Sequence, residues 1–351
     1  MLIVAGLTLK NLEPRVWDES SPHYLPELKA VMVSYAEFHQ MRAMRRRAME
    51  LGLHAALGIP PHIKVFLDNG AFHFSRRGAA TPIKEYLEFV AHARPDWYPI
   101  PQDFIPLPSM TIKQQRACLA RTMRINRGFA HDGFVPVIHI SRIFSEYVAH
   151  LKADERLRQK RRLALGGIVP NLLRAPKALS YLEILRSLLE TRREFADKAL
   201  HVFGIGGTAT LHLAMLLGID SGDSSGWRNR AARGHIQLPG SGERVVAPLG
   251  SWKGRELSPQ EKERLLDCAC PACQRASIAG LKAQGARGFH NRATHNLWVL
   301  LREGRWIEEQ LRAGRYHTSF VEHLENSTYR PLVQQLVNLL ELEGKIKQKT
   351  R

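Results

Sequence analysis

The chain has 351 residues, 44% of them hydrophobic and 24% charged, which is typical of a globular protein with a sizeable core. No run approaches the roughly 20 apolar residues that a membrane helix needs. The opening Met-Leu-Ile-Val-Ala-Gly-Leu is too short for a signal-peptide core and has no basic flank. Lys and Arg number 51 against 33 Asp and Glu, a formal net charge of +18. This excess favours a polyanionic partner such as nucleic acid, without indicating which base sequence is read.

Short apolar, β-rich runs alternate with helical patterns along the chain. We predict strands at residues 2–7, 64–72, 97–105, 134–140, 164–170, 200–206, 216–220 and 235–238. The helical patterns cover residues 26–57, 82–92, 112–129, 142–159 and 179–200. This α/β alternation predicts parallel βαβ units, and eight strands is the count of a (β/α)8 TIM barrel. A doubly wound open sheet is the alternative, but no Gly-x-Gly-x-x-Gly follows the first strand.

Polar side chains stand where several of these strands end. Asp68 lies in the second predicted strand, Asp103 near the end of the third and His139 near the end of the fourth. Asp220 and Asp223 lie at and just after the end of the seventh. One Asp after a strand is usually a turn or helix-cap residue. Several such ends together indicate an active site, because barrel enzymes build theirs at the carboxyl ends of the strands.

Three of the four cysteines fall in a short motif near the end of the predicted barrel. Cys268-Ala-Cys270-Pro-Ala-Cys273 is followed 22 positions later by His295 in a Thr-His-Asn-Leu sequence. Three thiolates and one imidazole form a complete tetrahedral donor set for Zn²⁺, which indicates a structural site. His290 is the other candidate for the fourth ligand. We favour His295, because it begins an apolar run and is expected at a helix start, whereas the sequence around His290 is typical of a loop.

These patterns predict a division into three parts. Residues 1–250 form the barrel with its catalytic pocket, residues 251–300 form an inserted zinc-binding subdomain, and residues 301–351 form C-terminal helices that pack on the barrel and end in a basic tail. The leftover thiol of Cys118, the metal motif and the lack of an export signal favour a reducing, cytoplasmic location.

The order of several motifs resembles the tRNA-guanine transglycosylase superfamily. The motifs are Asp68-Asn-Gly-Ala-Phe72, Gly166-Gly-Ile-Val-Pro170, His201-Val-Phe-Gly-Ile-Gly206, Gly218-Ile-Asp-Ser-Gly-Asp223, Cys-x-Cys-x₂-Cys and Thr-His-Asn-Leu. That family exchanges guanine for a 7-deazaguanine base in a polynucleotide, on a TIM barrel carrying a zinc subdomain. The resemblance covers roughly residues 60 to 300, and the zinc motif is its most specific part.

The resemblance implies roles for two carboxylates and one aromatic ring. Asp68 matches the general acid/base, Asp223 the nucleophile that forms a covalent glycosyl ester, and Phe72 the ring that stacks on the target base. Asp220 is the competing nucleophile. Base exchange breaks an N-glycosidic bond through an oxocarbenium-like centre, and the chemistry needs one carboxylate to trap that centre and a second to handle the proton.

The resemblance also implies a set of base-binding positions. Asp103 matches a carboxylate for the Watson–Crick edge, which suits the N1–H and N2–H₂ donors of guanine. Phe203 stands where the family has a Met that sandwiches an extruded base. The remaining positions are His139, where the family has Gln, the Gly166-Gly167-Ile168 backbone, and Gly204.

Departures from the family pattern bear on the substrate. The loop after Asp223 reads Ser-Ser-Gly-Trp-Arg228 in place of Cys-Val-x-Pro-Thr-Arg, and Asn69 stands where Ser is usual. Ile168-Val-Pro170-Asn-Leu has no carboxylate for a cationic aminomethyl group, which resembles the archaeal form that takes neutral 7-cyano-7-deazaguanine. The chain leaves no room for the large C-terminal RNA-binding modules of archaeal enzymes. Together these features favour the compact branch that inserts 7-deazaguanine into DNA, with tRNA as the alternative polymer.

Two other functions satisfy part of the pattern. The first is a non-catalytic nucleic-acid-binding protein with a structural zinc site, for example the partner subunit of a heterodimeric transglycosylase. Such a protein needs the basic charge but has no need of Asp68 and Asp223. A glycosylase that only removes a damaged base shares both carboxylates. The family resemblance further implies homodimerisation, and accessory modification proteins are the other expected partners.

Overall fold

The computed structural model describes residues 1–102, 105–129 and 133–349, with the side chains of residues 209 and 343–349 excepted. Asp103, predicted to bind the base, therefore lies outside the described residues. No described helix combines the length and the apolar character needed to cross a membrane.

Strands and helices alternate through most of the described ranges. The strands are β1 (Leu2–Gly6), β2 (Ala30–Ser34), β3 (Lys64–Asp68), β4 (Tyr98–Pro99), β5 (Phe134–Val135), β6 (Val137–His139), β7 (Arg162–Gly166), β8 (Ala199–Val202), β9 (Ser221–Ser224), β10 (His235–Leu238) and β11 (Gly242–Val245). The helices as far as β9 are α1 (Tyr35–Gln40), α2 (Arg42–Leu51), α3 (Leu53–Leu57), α4 (Ala71–Arg76), α5 (Ile83–Ala93), α6 (Ile112–Arg127), α7 (Phe144–Ala153), α8 (Glu155–Arg158), α9 (Ile168–Leu172), α10 (Tyr181–Glu194) and α11 (Thr208–Leu216). The later helices are α12 (Gly226–Ala232), α13 (Pro259–Leu266), α14 (Pro271–Lys282), α15 (Gly285–Arg312), α16 (Tyr316–His323) and α17 (Arg330–Lys349).

Seven strands form one parallel sheet in the order β3-β2-β1-β9-β8-β7-β6. β4 and β5 form a short parallel pair that lies between the two edges of this sheet. The amide of Leu67 donates to the carbonyl of Trp97 at 2.8 Å, and the amide of Ile100 donates to Val135 at 2.8 Å. Pro136 separates β5 from β6, and its carbonyl accepts from Ala164 on the β7 side at 2.9 Å. The α/β class with a curled parallel sheet is confirmed, and these pairings fit the predicted (β/α)8 barrel.

The predicted strands at residues 64–72 and 164–170 are too long, because their ends belong to α4 and α9. The strand list is wrong at three further places. The helical pattern at residues 26–57 contains β2, whose residues are buried nearly throughout, so that it shows no alternation to mark it as a strand. Residues 216–220 form the end of α11 and a turn, and the strand follows as β9. β10 is a strand as predicted, but it pairs antiparallel with β11 outside the parallel sheet.

Side chains of the parallel strands are buried on both faces. Val4, Met32 and Phe66 pack inside the curled sheet with Trp97, while Ile3 and Ala5 face the surrounding helices and join the large outer core. Parallel strands covered on both faces are expected to be apolar throughout. The inside of the sheet is therefore packed, mainly by apolar side chains.

The C-terminal part is organised around one long helix. α15 packs against α11, α12, α14 and β10. It continues without a break across residue 300, where the sequence predicts a boundary between the zinc subdomain and the C-terminal helices. His295 and His290 both lie within α15, so the prediction of a helix start at His295 and a loop at His290 is wrong.

Candidate active site and metal centre

Asp68 lies at the carboxyl end of β3 and is held by two donors. The hydroxyl of Ser34 donates to Oδ2 at 2.9 Å, and the amide of Gly70 donates to the same oxygen at 3.0 Å. Burial and, to a smaller extent, the nearby charge of Asp223 raise the pKa of Asp68 to about 6, although Ser34, Gly70 and His201 act to lower it. A carboxyl with this pKa exchanges a proton near neutral pH, as a general acid/base must.

Asp223 lies on β9, and its side chain is 16% exposed. Its Oδ1 accepts a hydrogen bond from the amide of Gly204 at 2.8 Å and lies 3.6 Å from Nε2 of His201. Asp223 is paired with Val4, whose side chain packs inside the curled sheet. Because directly paired residues of parallel strands point to the same face, the Asp223 carboxylate is also directed inward.

Asp220 is placed differently, although it is only three residues from Asp223. It precedes β9, where its Oδ2 accepts from the amide of Leu200 at 2.8 Å, and Arg192 lies 3.6 Å away. These contacts are at the amino end of the strands. The structure therefore brings Asp68 and Asp223 together at the carboxyl ends and leaves Asp220 on the opposite side.

The turn after Asp68 presents an aromatic ring. Asn69 donates to the carbonyl of Ile100 at 2.9 Å, which ties the end of β3 to the segment after β4. Gly70 has φ +75°, and a Cβ there would lie 2.7 Å from the Cβ of Ala36, so only glycine fits. Phe72 follows in the first turn of α4 with 49% of its surface exposed, and Arg76 stacks 5.6 Å from its ring centroid.

His139 and Gln102 form a buried pair at the ends of β6 and β4. Nε2 of His139 lies 3.1 Å from Oε1 of Gln102, and Thr122 also donates to that oxygen at 3.3 Å. Burial lowers the pKa of His139 to about 4, so its ring is neutral at physiological pH. Gln102 was not among the predicted site residues, although it directly precedes Asp103 in the sequence.

The Gly166-Gly167-Ile168 segment crosses beside this pair. A Cβ on Gly166 would lie 2.7 Å from Nδ1 of His139, so the glycine allows the ring to sit against the backbone. Ile168 is fully buried. The side chain of Asn171 donates to the carbonyl of Gly167 at 2.8 Å. This bond uses the carbonyl of Gly167 and does not involve the backbone amide of Gly167.

Phe203 and Gly204 follow β8 on the other side of the site. Phe203 is half-buried, with its ring centroid 4.7 Å from His201 and 5.9 Å from Trp97. The amide of Gly204, predicted to lie among the base-binding groups, donates to Asp223. Gly204 therefore holds a carboxylate in place through its backbone.

The loop after Asp223 is anchored inward. Trp227 is fully buried and donates from Nε1 to the carbonyl of Gly6 at 3.1 Å. Arg228 donates to the carbonyls of Glu13 at 2.7 Å and Asn11 at 2.6 Å, and burial lowers its pKa to about 10. The guanidinium of Arg228 is therefore hydrogen-bonded within the protein, so part of the positive charge stabilises the fold.

Three cysteines and His295 converge as the motif predicts. From Nδ1 of His295 the Sγ atoms of Cys268, Cys270 and Cys273 lie at 3.7, 3.5 and 3.4 Å. Tetrahedral zinc with bonds of about 2.3 Å to sulfur and about 2.0 Å to nitrogen separates these atoms by roughly 3.5 Å. The donor set therefore fits zinc. His290 is not in this group, and its ring lies 5.7 Å from that of His23.

The surroundings of the cluster select the ligand atoms. His295 donates from Nε2 to the carbonyl of Gln237 at 3.0 Å, which leaves Nδ1 as the metal-binding nitrogen. Cys270 caps α14, where its sulfur accepts from the amide of Cys273 at 3.2 Å. Asn296, next to the ligand, accepts from the amide of Gln237 at 2.6 Å and fixes α15 against β10.

A second buried polar group, not predicted from the sequence, lies two turns further along α15. Glu303 accepts at Oε1 from His212 at 2.8 Å and from His323 at 2.7 Å. Its Oε2 accepts from the amide of Gly240 at 3.2 Å, and Nδ1 of His212 lies 2.6 Å from the hydroxyl of Tyr316. This His–Glu–His network joins α11, α15 and α16, and each of its buried polar atoms has a hydrogen-bond partner.

The curled parallel sheet, two carboxylates near the ends of its strands and a Cys₃His cluster that fits zinc together define a class of α/β protein. A family model described as queuine tRNA-ribosyltransferase matches residues 21–329 of the chain. The chain therefore belongs to this family of guanine transglycosylase enzymes.

Curated relatives agree with this assignment. A tRNA-guanine(15) transglycosylase of Pyrococcus abyssi is 27% identical over 288 residues, which cover 78% of this chain and 44% of the relative. Proteins of the same name from Methanopyrus kandleri and Methanosarcina mazei are 24% and 25% identical, with 74% and 79% of this chain covered and 53% of each relative. The chain thus spans about half the length of the curated relatives it matches.

Proposed function

We propose that the protein exchanges guanine for a 7-deazaguanine base in tRNA, through a covalent Asp223-glycosyl intermediate. The observation that carries the proposal is the convergence of Asp68 and Asp223 at the carboxyl ends of β3 and β9. One carboxyl has a pKa raised to about 6, so that it can both give and take a proton, and the other is fixed by a backbone amide. These are the two properties that base exchange requires of its carboxylates.

In the first half of the reaction, Asp223 attacks C1′ of the target nucleotide. The bond from C1′ to the guanine nitrogen breaks, a C1′–oxygen bond to Asp223 forms, and Asp68 gives its proton to the departing guanine. Burial, together with the like charge of Asp223, raises the pKa of Asp68 and so favours the protonated form that gives its proton to the leaving group.

In the second half, the incoming base takes the place of guanine. Asp68, now ionised, removes the proton from the ring nitrogen of the 7-deazaguanine base. That nitrogen attacks C1′, and the ester oxygen of Asp223 leaves as a carboxylate. The polynucleotide is released with a new base and an unbroken backbone. Asp68 is again protonated and Asp223 is again a free carboxylate.

We assign recognition of the base to groups around these carboxylates. The exposed ring of Phe72 and the half-buried ring of Phe203 are suited to stack on the two faces of an extruded base. We assign the Watson–Crick side of the base to the amide of Gly167 and the neutral ring of His139, which lie beside each other. Asp103 is assigned to the N1–H and N2–H₂ edge by its resemblance to the family motif.

The relatives favour tRNA over DNA as the polymer. Each relative described above is named for tRNA-guanine(15), and the +18 charge suits either polyanion. The expectation of a DNA substrate rested on departures from the family pattern, and none of the relatives described above supports it. DNA therefore remains only as an outcome that the experiment below distinguishes.

We assign the Cys₃His cluster to a structural zinc ion, and the carboxylate site to the barrel formed within residues 1–250. Four protein ligands leave no position for a substrate, so a bound zinc supplies folding energy and no catalytic step. The proposed zinc ion joins α14 to α15. His295 and Asn296 in turn hydrogen-bond to Gln237 and hold the β10–β11 hairpin to α15.

The test measures incorporation of radiolabelled guanine into bulk tRNA and into single- and double-stranded DNA by the purified protein. Asp223→Asn is expected to abolish incorporation into tRNA. Asp220→Asn is the matched control: the same change three residues away, on the opposite side of the strands, is expected to leave incorporation intact. A chase with unlabelled 7-cyano-7-deazaguanine is expected to release the label.

Three results contradict parts of the proposal. Label in DNA alone moves the substrate to DNA. Loss of incorporation in Asp220→Asn with activity retained in Asp223→Asn reverses the assignment of the nucleophile. Release of free base with formation of abasic sites, in the absence of any incoming base, identifies a glycosylase.

A further inference from the structure

We propose that His201 is a positioning residue that fixes which oxygen of Asp223 attacks the sugar. This inference deepens the proposed function and rests on it. His201 is on β8, directly paired with Ser221 on β9, and Ser221 is two residues before Asp223. Because side chains two apart on a strand share a face, His201, Ser221 and Asp223 all point into the curled sheet.

The ring of His201 is held in one orientation. Its side chain is 2% exposed, and its ring centroid lies 4.7 Å from Trp97, 4.7 Å from Phe203 and 5.8 Å from Phe66. Nδ1 lies 2.9 Å from the hydroxyl of Ser221. A ring clamped on three sides and hydrogen-bonded at one nitrogen has its other nitrogen directed at a single place.

That other nitrogen faces the nucleophile. Nε2 of His201 lies 3.6 Å from Oδ1 of Asp223 and has no hydrogen-bond partner among the described residues. A carboxylate only accepts hydrogen bonds, so the favourable arrangement places the proton on Nε2 while the Ser221 hydroxyl donates to Nδ1. Hydrogen bonds in active sites are often long in the free enzyme and shorten when the substrate is bound.

The two oxygens of Asp223 are therefore unequal. Oδ1 is held by the amide of Gly204 at 2.8 Å and faces the His201 N–H. Oδ2 is left to form the bond to C1′. The Gly204 amide holds Oδ1 in the free protein, and the His201 N–H becomes a second donor to the same oxygen when the contact shortens on substrate binding. Two donors on one oxygen then fix the carboxylate plane and direct the other oxygen towards the sugar, and a misplacement of about 1 Å at a reacting centre can cost about 100-fold in rate.

The experiment compares His201→Phe, which keeps a ring but has no donor, with His201→Gln, which keeps an N–H at the end of its side chain. We expect His201→Phe to lower kcat for guanine exchange about 100-fold with little change in KM for the base. His201→Gln is expected to recover about tenfold of this loss. Accumulation of the covalent protein–tRNA adduct on denaturing gels is expected to slow by the same factors.

His212→Gln controls for the loss of a buried imidazole. His212 is fully buried in the His–Glu–His network, outside the carboxylate site, so this variant is expected to lose thermal stability and keep kcat. Unchanged kcat in His201→Phe, with Asp223→Asn inactive, overturns the role of His201 and leaves the proposed function standing. Equal losses in His201→Phe and His201→Gln, matched by equal losses of Tm, assign His201 to packing alone. Activity in Asp223→Asn overturns the proposed function itself.

Discussion

Two regions of the protein hold buried polar groups in opposite ways. One is the carboxylate site, and the other is the C-terminal module, which we define as β10, β11 and α13 to α17 with His212 of α11 packed against them. In the C-terminal module the charge of Glu303 is matched by His212, His323 and the amide of Gly240. At the carboxylate site, Asp68 has a pKa raised to about 6, and Nε2 of His201 has no hydrogen-bond partner among the described residues. Satisfied polar networks stabilise a fold, whereas perturbed groups at a strand end are typical of a site that binds and transforms a substrate.

This contrast implies that the two regions respond differently to the same kind of mutation. Removal of a polar group from the C-terminal module is expected to destabilise the fold without a direct effect on chemistry. Removal of one from the carboxylate site is expected to stabilise the fold and stop the reaction. Four predictions test this difference, in order of expected effect.

The largest effect is expected at the metal cluster. Cys270→Ser, or chelation of the metal, is expected to cost on the order of 5–10 kcal/mol of folding energy in the C-terminal module, because metal binding and local folding are coupled. The measurement is thermal unfolding with hydrogen exchange of α14 and α15. Cys118→Ser is the matched control, since this buried cysteine lies on α6, away from the cluster. Equal melting of the two variants would contradict a structural metal.

Glu303→Gln is expected to lower the free energy of unfolding by about 3–5 kcal/mol. The neutral amide forms weaker hydrogen bonds with His212 and His323 than the carboxylate does. If the NH₂ group of the amide faces the histidines, its N–H groups lie against their N–H groups, and these donors have no acceptor. Burial would raise the pKa of Glu303, but hydrogen bonds from the two histidines outweigh it and lower the pKa. Urea unfolding at pH 7 gives the measurement. A loss below about 1 kcal/mol would show that the network does not hold α11 and α16 to α15.

Asp68→Asn is expected to abolish base exchange and to raise stability at pH 8 by up to about 3 kcal/mol. The pKa of Asp68 is raised from 3.8 to about 6 in the folded state. Between these two values the folded protein keeps a proton that the unfolded chain has released. Wild-type stability therefore falls as pH rises through this window, and the cost is constant above it. Asparagine still accepts the hydrogen bond from Ser34 and has no charge to bury.

The measurement for Asp68→Asn is the difference in unfolding free energy between variant and wild type at pH 8 and at pH 4. We expect the stabilisation to be large at pH 8 and nearly absent at pH 4. A variant that is destabilised equally at both values would place Asp68 with the satisfied groups of the C-terminal module, and the contrast between the two regions would fail.

The smallest effect is expected on the exposed side of α15. Glu308→Gln removes the same charge as Glu303→Gln from the same helix, but Glu308 is 55% exposed and pairs with Arg312 at 2.9 Å on the surface. Such a pair contributes about 0.5 kcal/mol or less. Urea unfolding of the two variants side by side separates the effect of burial from that of charge. A loss in Glu308→Gln as large as that in Glu303→Gln would remove burial as the cause.

The sequence shows the metal centre more completely than the active site, for a physical reason. Three of the four proposed zinc ligands fall within six residues, and cysteine is rare enough for the cluster to stand out. The choice of His295 over His290 follows from the apolar run after it, although both lie inside one helix. His201 was quoted within a motif and given no role, because its contact with Asp223 depends on the pairing of β8 with β9.

By itself the sequence determined the α/β alternation, the cysteine cluster, the basic charge and the candidate carboxylates, because each is a local pattern of residue types. Only the tertiary structure decided that Ala30–Ser34 is a strand, since a strand buried on both faces has no alternation. It also separated Asp223 from Asp220, because strand direction places one at the carboxyl end and the other at the amino end. The network of His212, Glu303 and His323 likewise exists only after folding, since its members come from three helices far apart in the chain.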